Sequence, residues 1–432
     1  MERKIIEALK NWKSDPKRMP LLLGGARQVG KTYTALTFGK QYYKNTAYFN
    51  MEDSAEIISI FDRDLDPARI VRELSVKSGE NIFPGDTLII FDEIQACERA
   101  LTSLKYFQEK APEYHIIAAG SLLGVALRRE KYSFPVGKVD MMTLYPLDFE
   151  EFLWATGNEK LCVLIKESYA EFTPLSLHDT ALDLYKTYLV VGGMPRAVSE
   201  YVDTHDFDFV TAAQKTLNDA YIADMAKYAT PQDTTRIMAA WGSVPAQLSK
   251  ENHKFQYKVI KSGARAYEYE TAIDWLKAAG MINVCTRVSE GKMPLSAYAD
   301  NDSFKIYMMD TGLLCSKFGI AANVVLSSPH SFDGFKGALA ENYIMQALTV
   351  SGFVPFYWSS PGKAELDFVM QDRSGNILPL EGKSADNVKA KSLRNFVSLY
   401  APPYAIRVSA KNFGFENNIK SIPLYALFCL KP

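Results

Sequence analysis

The sequence predicts an α/β chain that opens on a parallel sheet and continues through helical, mixed and again α/β segments. Three observations predict it. Short apolar runs alternate with helical stretches over about the first 150 residues, as in a parallel sheet covered on both faces. One run, Leu21-Leu22-Leu23, leads directly into Gly25-Ala26-Arg27-Gln28-Val29-Gly30-Lys31-Thr32, which fits G-x-x-x-x-G-K-[ST]. Another, Thr87-Leu88-Ile89-Ile90-Phe91, ends in the acids Asp92 and Glu93.

The glycine-rich run lies between a predicted strand and a predicted helix over 32–39. A loop in that position turns several backbone N–H groups toward one point, which suits a phosphate chain. Gly25 and Gly30 free the backbone from Cβ restrictions and allow close approach to phosphate oxygens. Lys31 is expected to reach the β- and γ-phosphates, and the Thr32 hydroxyl to bind Mg²⁺. Ala26, Arg27, Gln28 and Val29 complete the cradle. At the end of the acidic strand, Asp92 is expected to hold Mg²⁺ through water and Glu93 to polarise an attacking water. Lys31, Asp92 and Glu93 are therefore the expected catalytic set of an NTP-hydrolysing core.

The remaining strands of this first region are predicted at 20–24, 46–50, 87–92, 115–120 and 139–144, with a helix over 97–110 that aligns Leu101, Leu104 and Phe107. Ser121, just past the fourth strand, is placed to sense the γ-phosphate or simply to close a turn. At the N-terminus, Ile5, Ile6, Leu9 and Trp12 share one helical face, without the uninterrupted apolar core of a signal peptide. The 432 residues carry a net charge of −1, so any polyanion site is a local patch. Five cysteines without C-x-x-C spacing fit reduced thiols and a cytoplasmic setting. No apolar run approaches the length of a membrane helix, so no membrane partner is expected.

From Leu147 to about Ala229 the pattern is helical and aromatic, broken by Val191-Gly192-Gly193-Met194-Pro195-Arg196. It reads as a helical lid with Arg196 near the phosphates, or as an interhelical turn. Arg128 and Arg129 are arginine-finger candidates or solvated charge. A winged-helix module is predicted over 234–318, with a helix at 266–280 and strands at 281–288 and 305–309. If the preceding segment is helical throughout, Lys250, Lys254, Lys258, Lys261 and Arg265 form one basic stripe for DNA phosphates, or a solvated face.

The last hundred or so residues carry a second constellation. A helix over 337–350 contains Glu341. A hairpin follows, with Glu365 and Asp367 on one face of its first strand and Glu381 and Lys383 on one face of its second. An acid on a helix followed by D…E-x-K on paired strands is the arrangement of a metal-dependent nuclease. Asp367 and Glu381 would bind Mg²⁺, Glu341 would complete the shell, and Lys383 would activate water. The same alternation also describes a charged hairpin edge. Lys389, Lys391 and Arg394 cluster just after it.

Taken in order, these motifs resemble the prokaryotic AAA-type P-loop ATPases with a C-terminal DUF4143 domain. The resemblance rests on Gly25 to Thr32, Phe91-Asp92-Glu93-Ile94-Gln95, Gly120-Ser121-Leu122-Leu123, Tyr145-Pro146-Leu147 with Phe149-Glu150-Glu151-Phe152, and Gly192-Gly193-Met194-Pro195. It extends to Asp310-Thr311-Gly312-Leu313-Leu314, Gly337 to Glu341, Glu365 to Val369 and Glu381-Gly382-Lys383. Gly382 stands where the family usually has a branched apolar residue. The resemblance implies an ATPase core at 1–160, a helical lid at 161–232, a winged-helix module at 233–325 and a restriction-endonuclease-like α/β fold at 326–432. The expected ligands are ATP and Mg²⁺; the expected partners are DNA, a protein or a second copy. The expected function is a Mg²⁺-dependent ATPase that couples nucleotide state to a nuclease-like domain. The alternative is a nucleotide-gated binding or scaffold protein whose nuclease fold is inactive.

Overall fold

The computed structural model describes every residue except 54, 122, 127–134, 251–253, 328–332, 361–363 and 384–390, and omits the side chains of residues 126, 333 and 334. Arg128, Arg129 and Lys389 thus lie outside the described residues. The chain gathers into two compact units, Glu2–Tyr145 with Ala278–Gly280, and Pro146–Lys277 with Met281–Pro432 and Met1.

The first unit is a five-stranded, fully parallel sheet. Its strands are β1 (Leu21–Gly24), β2 (Asn45–Asn50), β3 (Thr87–Asp92), β4 (His115–Ala119) and β5 (Asp140–Thr143), in the order β2-β3-β4-β1-β5. Leu21, Leu22 and Leu23 are completely buried, as are Leu88 to Phe91, so both faces of these strands are covered. That is why they read as unbroken apolar runs. The helix Glu98–Lys110 buries Leu101, Leu104 and Phe107 in the same core as Leu22, Ile89 and Phe91. The N-terminal helix Ile5–Ser14 buries Leu9 and Trp12, while Ile5 and Ile6 stay half-buried. Because β4 lies between β1 and β3, the C-terminal ends of all three strands open on one edge, where ligands of parallel α/β sheets bind.

In the second unit, a run of helices precedes an eight-stranded mixed sheet. The strands are β6 (Ile282–Val288), β7 (Ala299–Met308), β8 (Phe356–Ser359), β9 (Glu365–Gln371), β10 (Ile377–Gly382), β11 (Ala405–Ser409), β12 (Gly414–Glu416) and β13 (Ile419–Pro423). Their order is β12-β13-β11-β10-β9-β8-β6-β7. Helices Pro231–Leu248, Tyr257–Ile260 and Ala266–Ala278 followed by the β6–β7 hairpin keep the order expected of a winged helix. The hairpin is no free wing, however: β6 pairs in parallel with β8 and so extends the C-terminal sheet. The basic stripe also needs correction. The segment is not one helix, since among the described residues between Leu248 and Ala266 only Tyr257–Ile260 is helical. Lys254 instead donates to Ser303 Oγ at 3.0 Å and Lys250 to Gln256 at 3.1 Å.

A buried hydrogen-bond hub organises this unit. Asp310, fully buried, caps the helix Thr311–Phe318 by accepting from Leu313 N at 2.9 Å, and also accepts from Gly193 N at 2.6 Å. Gly193 O in turn accepts from Leu147 N at 2.7 Å, and Leu147 O from Tyr188 Oη at 2.6 Å. A Cβ at Gly193 would stand 1.9 Å from Leu147 O, so no other residue fits there. Three of the motifs that marked the resemblance therefore meet at one structural joint.

Candidate functional site

The site in the first unit is built where β1 ends. Gly25 has φ +138, and a Cβ there would lie 2.2 Å from Leu144 O. Ala26 and Val29 are buried and anchor the loop, and Gly30 turns it with φ 95 into the helix Lys31–Tyr42. Gly30 caps that helix without any side-chain oxygen, so the first N–H groups have no side-chain acceptor and face the loop. Gln28, between them, is left-handed with φ 63, and Arg27 is half-buried.

Lys31 is 7% exposed and donates to the carbonyls of Gly25 at 3.0 Å and Ala26 at 2.7 Å. Burial lowers its pKa to about 8, against the attraction of Glu93 and Asp92. Thr32 Oγ1 donates to Asp92 Oδ2 at 2.6 Å, which joins the loop to the end of β3. Asp92 is 4% exposed and accepts a second bond on the same oxygen from Tyr48 Oη at 2.9 Å. Burial, then Asp92, pushes the Tyr48 phenol upward, so it stays a donor. Glu93 is left-handed with φ 48. Its Oε2 accepts from Gln95 Nε2 at 2.5 Å and from Ser121 Oγ at 3.4 Å. The geometry therefore brings together Lys31, Thr32, Asp92, Glu93 and Ser121 around the loop. The Thr32 hydroxyl and the Asp92 carboxylate suit Mg²⁺, which keeps several waters and needs only one or two protein carboxylates beside phosphate oxygens.

Three neighbours had no assigned role in the sequence. Tyr48 sits at an exposed place on β2, where an aromatic beside the acidic strand was the available hint. Gln95 lay inside a quoted motif. Arg3 is 6% exposed and donates to Val29 O at 3.0 Å and Tyr145 O at 2.6 Å, clamping the loop from the N-terminus; nothing in its local sequence signals this. Arg196, on the helix Pro195–Thr204 of the second unit, is exposed.

Residues 17–153 match the family described as an AAA domain, and residues 336–427 match a domain of unknown function, DUF4143. The chain joins an AAA domain to a C-terminal DUF4143 domain. Residues 182–323 between them match a further domain of unknown function, DUF8612. No curated protein matches the chain. Among solved structures, the Walker-type ATPase PABY2304 of Pyrococcus abyssi is 14% identical, covers 73% of this chain and 95% of its own, and gives a TM-score of 0.45. The Aeropyrum pernix ORC2 protein in its ADPNP–ADP complexes is 13% identical over 75% of this chain and 92% of its own, TM-score 0.39. The Thermotoga maritima RuvB Holliday junction branch migration motor is 15% identical over 66% of this chain and 89% of its own, TM-score 0.31. No helix among the described residues is long and apolar enough to cross a membrane.

In the DUF4143 domain, Glu341 lies on the helix Asp333–Val350, Asp367 on β9 and Glu381 on β10. Leu380 pairs with Phe368, which brings Glu381 level with Asp367. Asp367 Oδ2 accepts from Gly382 N at 2.8 Å, and Glu381 Oε1 pairs with Lys383 Nζ at 2.9 Å. A Cβ on Gly382 would come within 2.5 Å of Ile344 Cδ1, so the helix fills the space a branched residue would take. The centre of the group is a residue the sequence did not single out. Lys305 on β7, 1% exposed, reaches Glu341 Oε1 at 3.1 Å and Glu365 Oε1 at 2.8 Å. Tyr307 Oη also donates to Glu341 Oε1. Burial alone would lower the Lys305 pKa, but Glu341, Glu365 and Asp367 more than reverse it, so it stays charged. Burial and Glu341 push Asp367 up to about 7, against Lys305 and Lys383. Among the described residues, no three His, Cys, Asp or Glu side chains stand close enough together to hold a metal ion.

Proposed function

We propose that the AAA domain binds ATP with Mg²⁺ in the Gly25–Thr32 loop and hydrolyses it. The observation that carries this reading is the 2.6 Å bond between Thr32 and Asp92, which places the loop hydroxyl and the β3 carboxylate at one point with Glu93 next in the chain. Lys31 leaves the carbonyls of Gly25 and Ala26 for the β- and γ-phosphate oxygens. Backbone N–H groups from Gly30 onward take the phosphate chain at the helix N-terminus. Thr32 and Asp92 would hold Mg²⁺, which would supply positive charge against the phosphates. Glu93 orients the attacking water and accepts its proton, once released from Gln95 and Ser121. Ser121 then senses the γ-phosphate.

The proposal divides the chain into an ATPase core at 1–160, a helical lid at 161–232, a winged-helix-like module at 233–325 and a restriction-endonuclease-like domain at 326–432. Nucleotide state biases the conformation of the later domains, and these engage DNA or a protein partner. A partner affinity that differs between ATP-loaded and ADP-loaded protein is the expected sign of that coupling.

Phosphate release under steady-state conditions tests the core of the reading. Glu93→Gln should lower the turnover by about 10²–10⁴-fold, the range for a lost general base, while ATP still binds. Lys31→Ala should lose binding and turnover together. A Glu93→Gln protein that turns over at the wild-type rate contradicts the assignment.

A further inference from the structure

A D…E-x-K constellation in a nuclease-like fold implies a divalent cation bound among its acids, and the residues here fail to fit one. A dication needs carboxylate oxygens free to approach to about 2 Å in near-octahedral geometry. Each acid already has an oxygen committed to a protein donor. Glu341 Oε1 receives both Lys305 Nζ and Tyr307 Oη. Glu365 Oε1 receives Lys305 Nζ, Asp367 Oδ2 receives Gly382 N, and Glu381 Oε1 receives Lys383 Nζ. Glu381 Oε2 is buried with no hydrogen-bond partner, and among the described residues no three His, Cys, Asp or Glu side chains stand close enough together to hold an ion.

The decisive group is the Lys305 ammonium. It is buried between the helix carboxylate Glu341 and the strand carboxylate Glu365, with its Nζ 5.1 Å from the Tyr357 ring centroid. A dication placed between Glu341 and Asp367 would share a water-poor space with this fixed positive charge, where like-charge repulsion is poorly screened. Lys305 cannot swing into solvent without taking the ammonium from buried Glu341 and half-buried Glu365. It also belongs to β7, so the same ammonium ties the β6–β7 hairpin to the helix Asp333–Val350 and to β9.

We infer that Lys305 takes the place of the divalent cation in the DUF4143 domain: its ammonium supplies the charge a metal would supply, and the centre neither binds Mg²⁺ nor cleaves DNA. This goes beyond the ATPase reading and does not depend on it.

The test uses the full chain without nucleotide and counts bound Mn²⁺ by electron paramagnetic resonance, with melting temperature as a second readout. Wild type and Asp367→Asn should bind the same number of Mn²⁺ ions. Lys305→Ala should gain one further ion and lose it again in the Lys305→Ala/Asp367→Asn double variant. Its melting temperature should fall, then recover in millimolar Mn²⁺. Should Lys305→Ala fail to fold, the comparison of wild type with Asp367→Asn still decides. Loss of one Mn²⁺ from wild type on Asp367→Asn overturns the inference. So does metal-dependent nicking of plasmid DNA by wild type that Glu381→Gln abolishes. Neither result touches phosphate release at the AAA domain, which Lys31 and Glu93 variants report separately.

Discussion

Lys31, which we propose binds the phosphates, is held in place without a nucleotide. Its ammonium is bonded to the carbonyls of Gly25 and Ala26, inside the loop it will serve, and burial brings its pKa from 10.5 to about 8. Phosphate oxygens favour the charged form and raise that pKa again. Between the two values the complex holds more proton than the free protein, so binding takes up a proton as the pH passes about 8. Calorimetry in buffers of different ionisation enthalpy at such a pH should show uptake approaching one proton per ATP. Buffer-independent heats would contradict this role for Lys31. At the same scale, the limits of sequence reading are plain. Lys31, Thr32, Asp92 and Glu93 stood out because short local motifs mark them, and the fold brings them together around the loop. Lys305 did not, because its partners Glu341 and Glu365 lie far along the chain and nothing beside it in sequence distinguishes it from an ordinary strand lysine.

Among the elements, the joint around Asp310 gives two motifs of the resemblance a role in the fold. Gly192-Gly193-Met194-Pro195 and Asp310-Thr311-Gly312 are there because Gly193 must pass within contact of Leu147 O and Asp310 must cap a helix while accepting from Gly193 N. Asp310→Ala leaves two buried N–H groups unpaired and removes a cap, at a cost of about 2–4 kcal/mol by urea denaturation. Burial raises the Asp310 pKa from 3.8 to about 6. The folded state therefore holds more proton than the unfolded one in that window. The stabilisation present below 3.8 is lost as the pH rises through about 6, by about 3 kcal/mol at most. Asp310→Asn should remove this fall from a series of denaturation curves across the window; an unchanged slope would show that another group causes it. The element pattern itself was readable for the parallel sheet, where strands covered on both faces leave unbroken apolar runs. The basic stripe failed because the helical spacing of Lys250 to Arg265 presumes one continuous helix, whereas among the described residues of that segment only Tyr257–Ile260 is helical.

For the whole molecule, the strand order of the first sheet places the ends of β1, β3 and β4 together, and so assembles the loop, the acidic pair and Ser121 from three separate stretches of sequence. Of the second sheet, the β6–β7 and β9–β10 strands were legible in part, while β8, β11, β12 and β13 were not read as strands, nor was the whole seen as one sheet. The parallel pairing of β6 with β8 joins residues about seventy apart, and no local pattern announces a contact of that range. It is this pairing that draws the expected wing into the C-terminal domain and brings Lys305 among the acids. ATP binding, as proposed, depends on the first sheet and its loop. A calorimetric titration of the full chain with a non-hydrolysable ATP analogue in the presence of Mg²⁺ tests it most directly. One saturable site per chain, abolished by Lys31→Ala in a protein that remains folded, is the predicted result; no binding heat from the wild-type protein across buffers would contradict it.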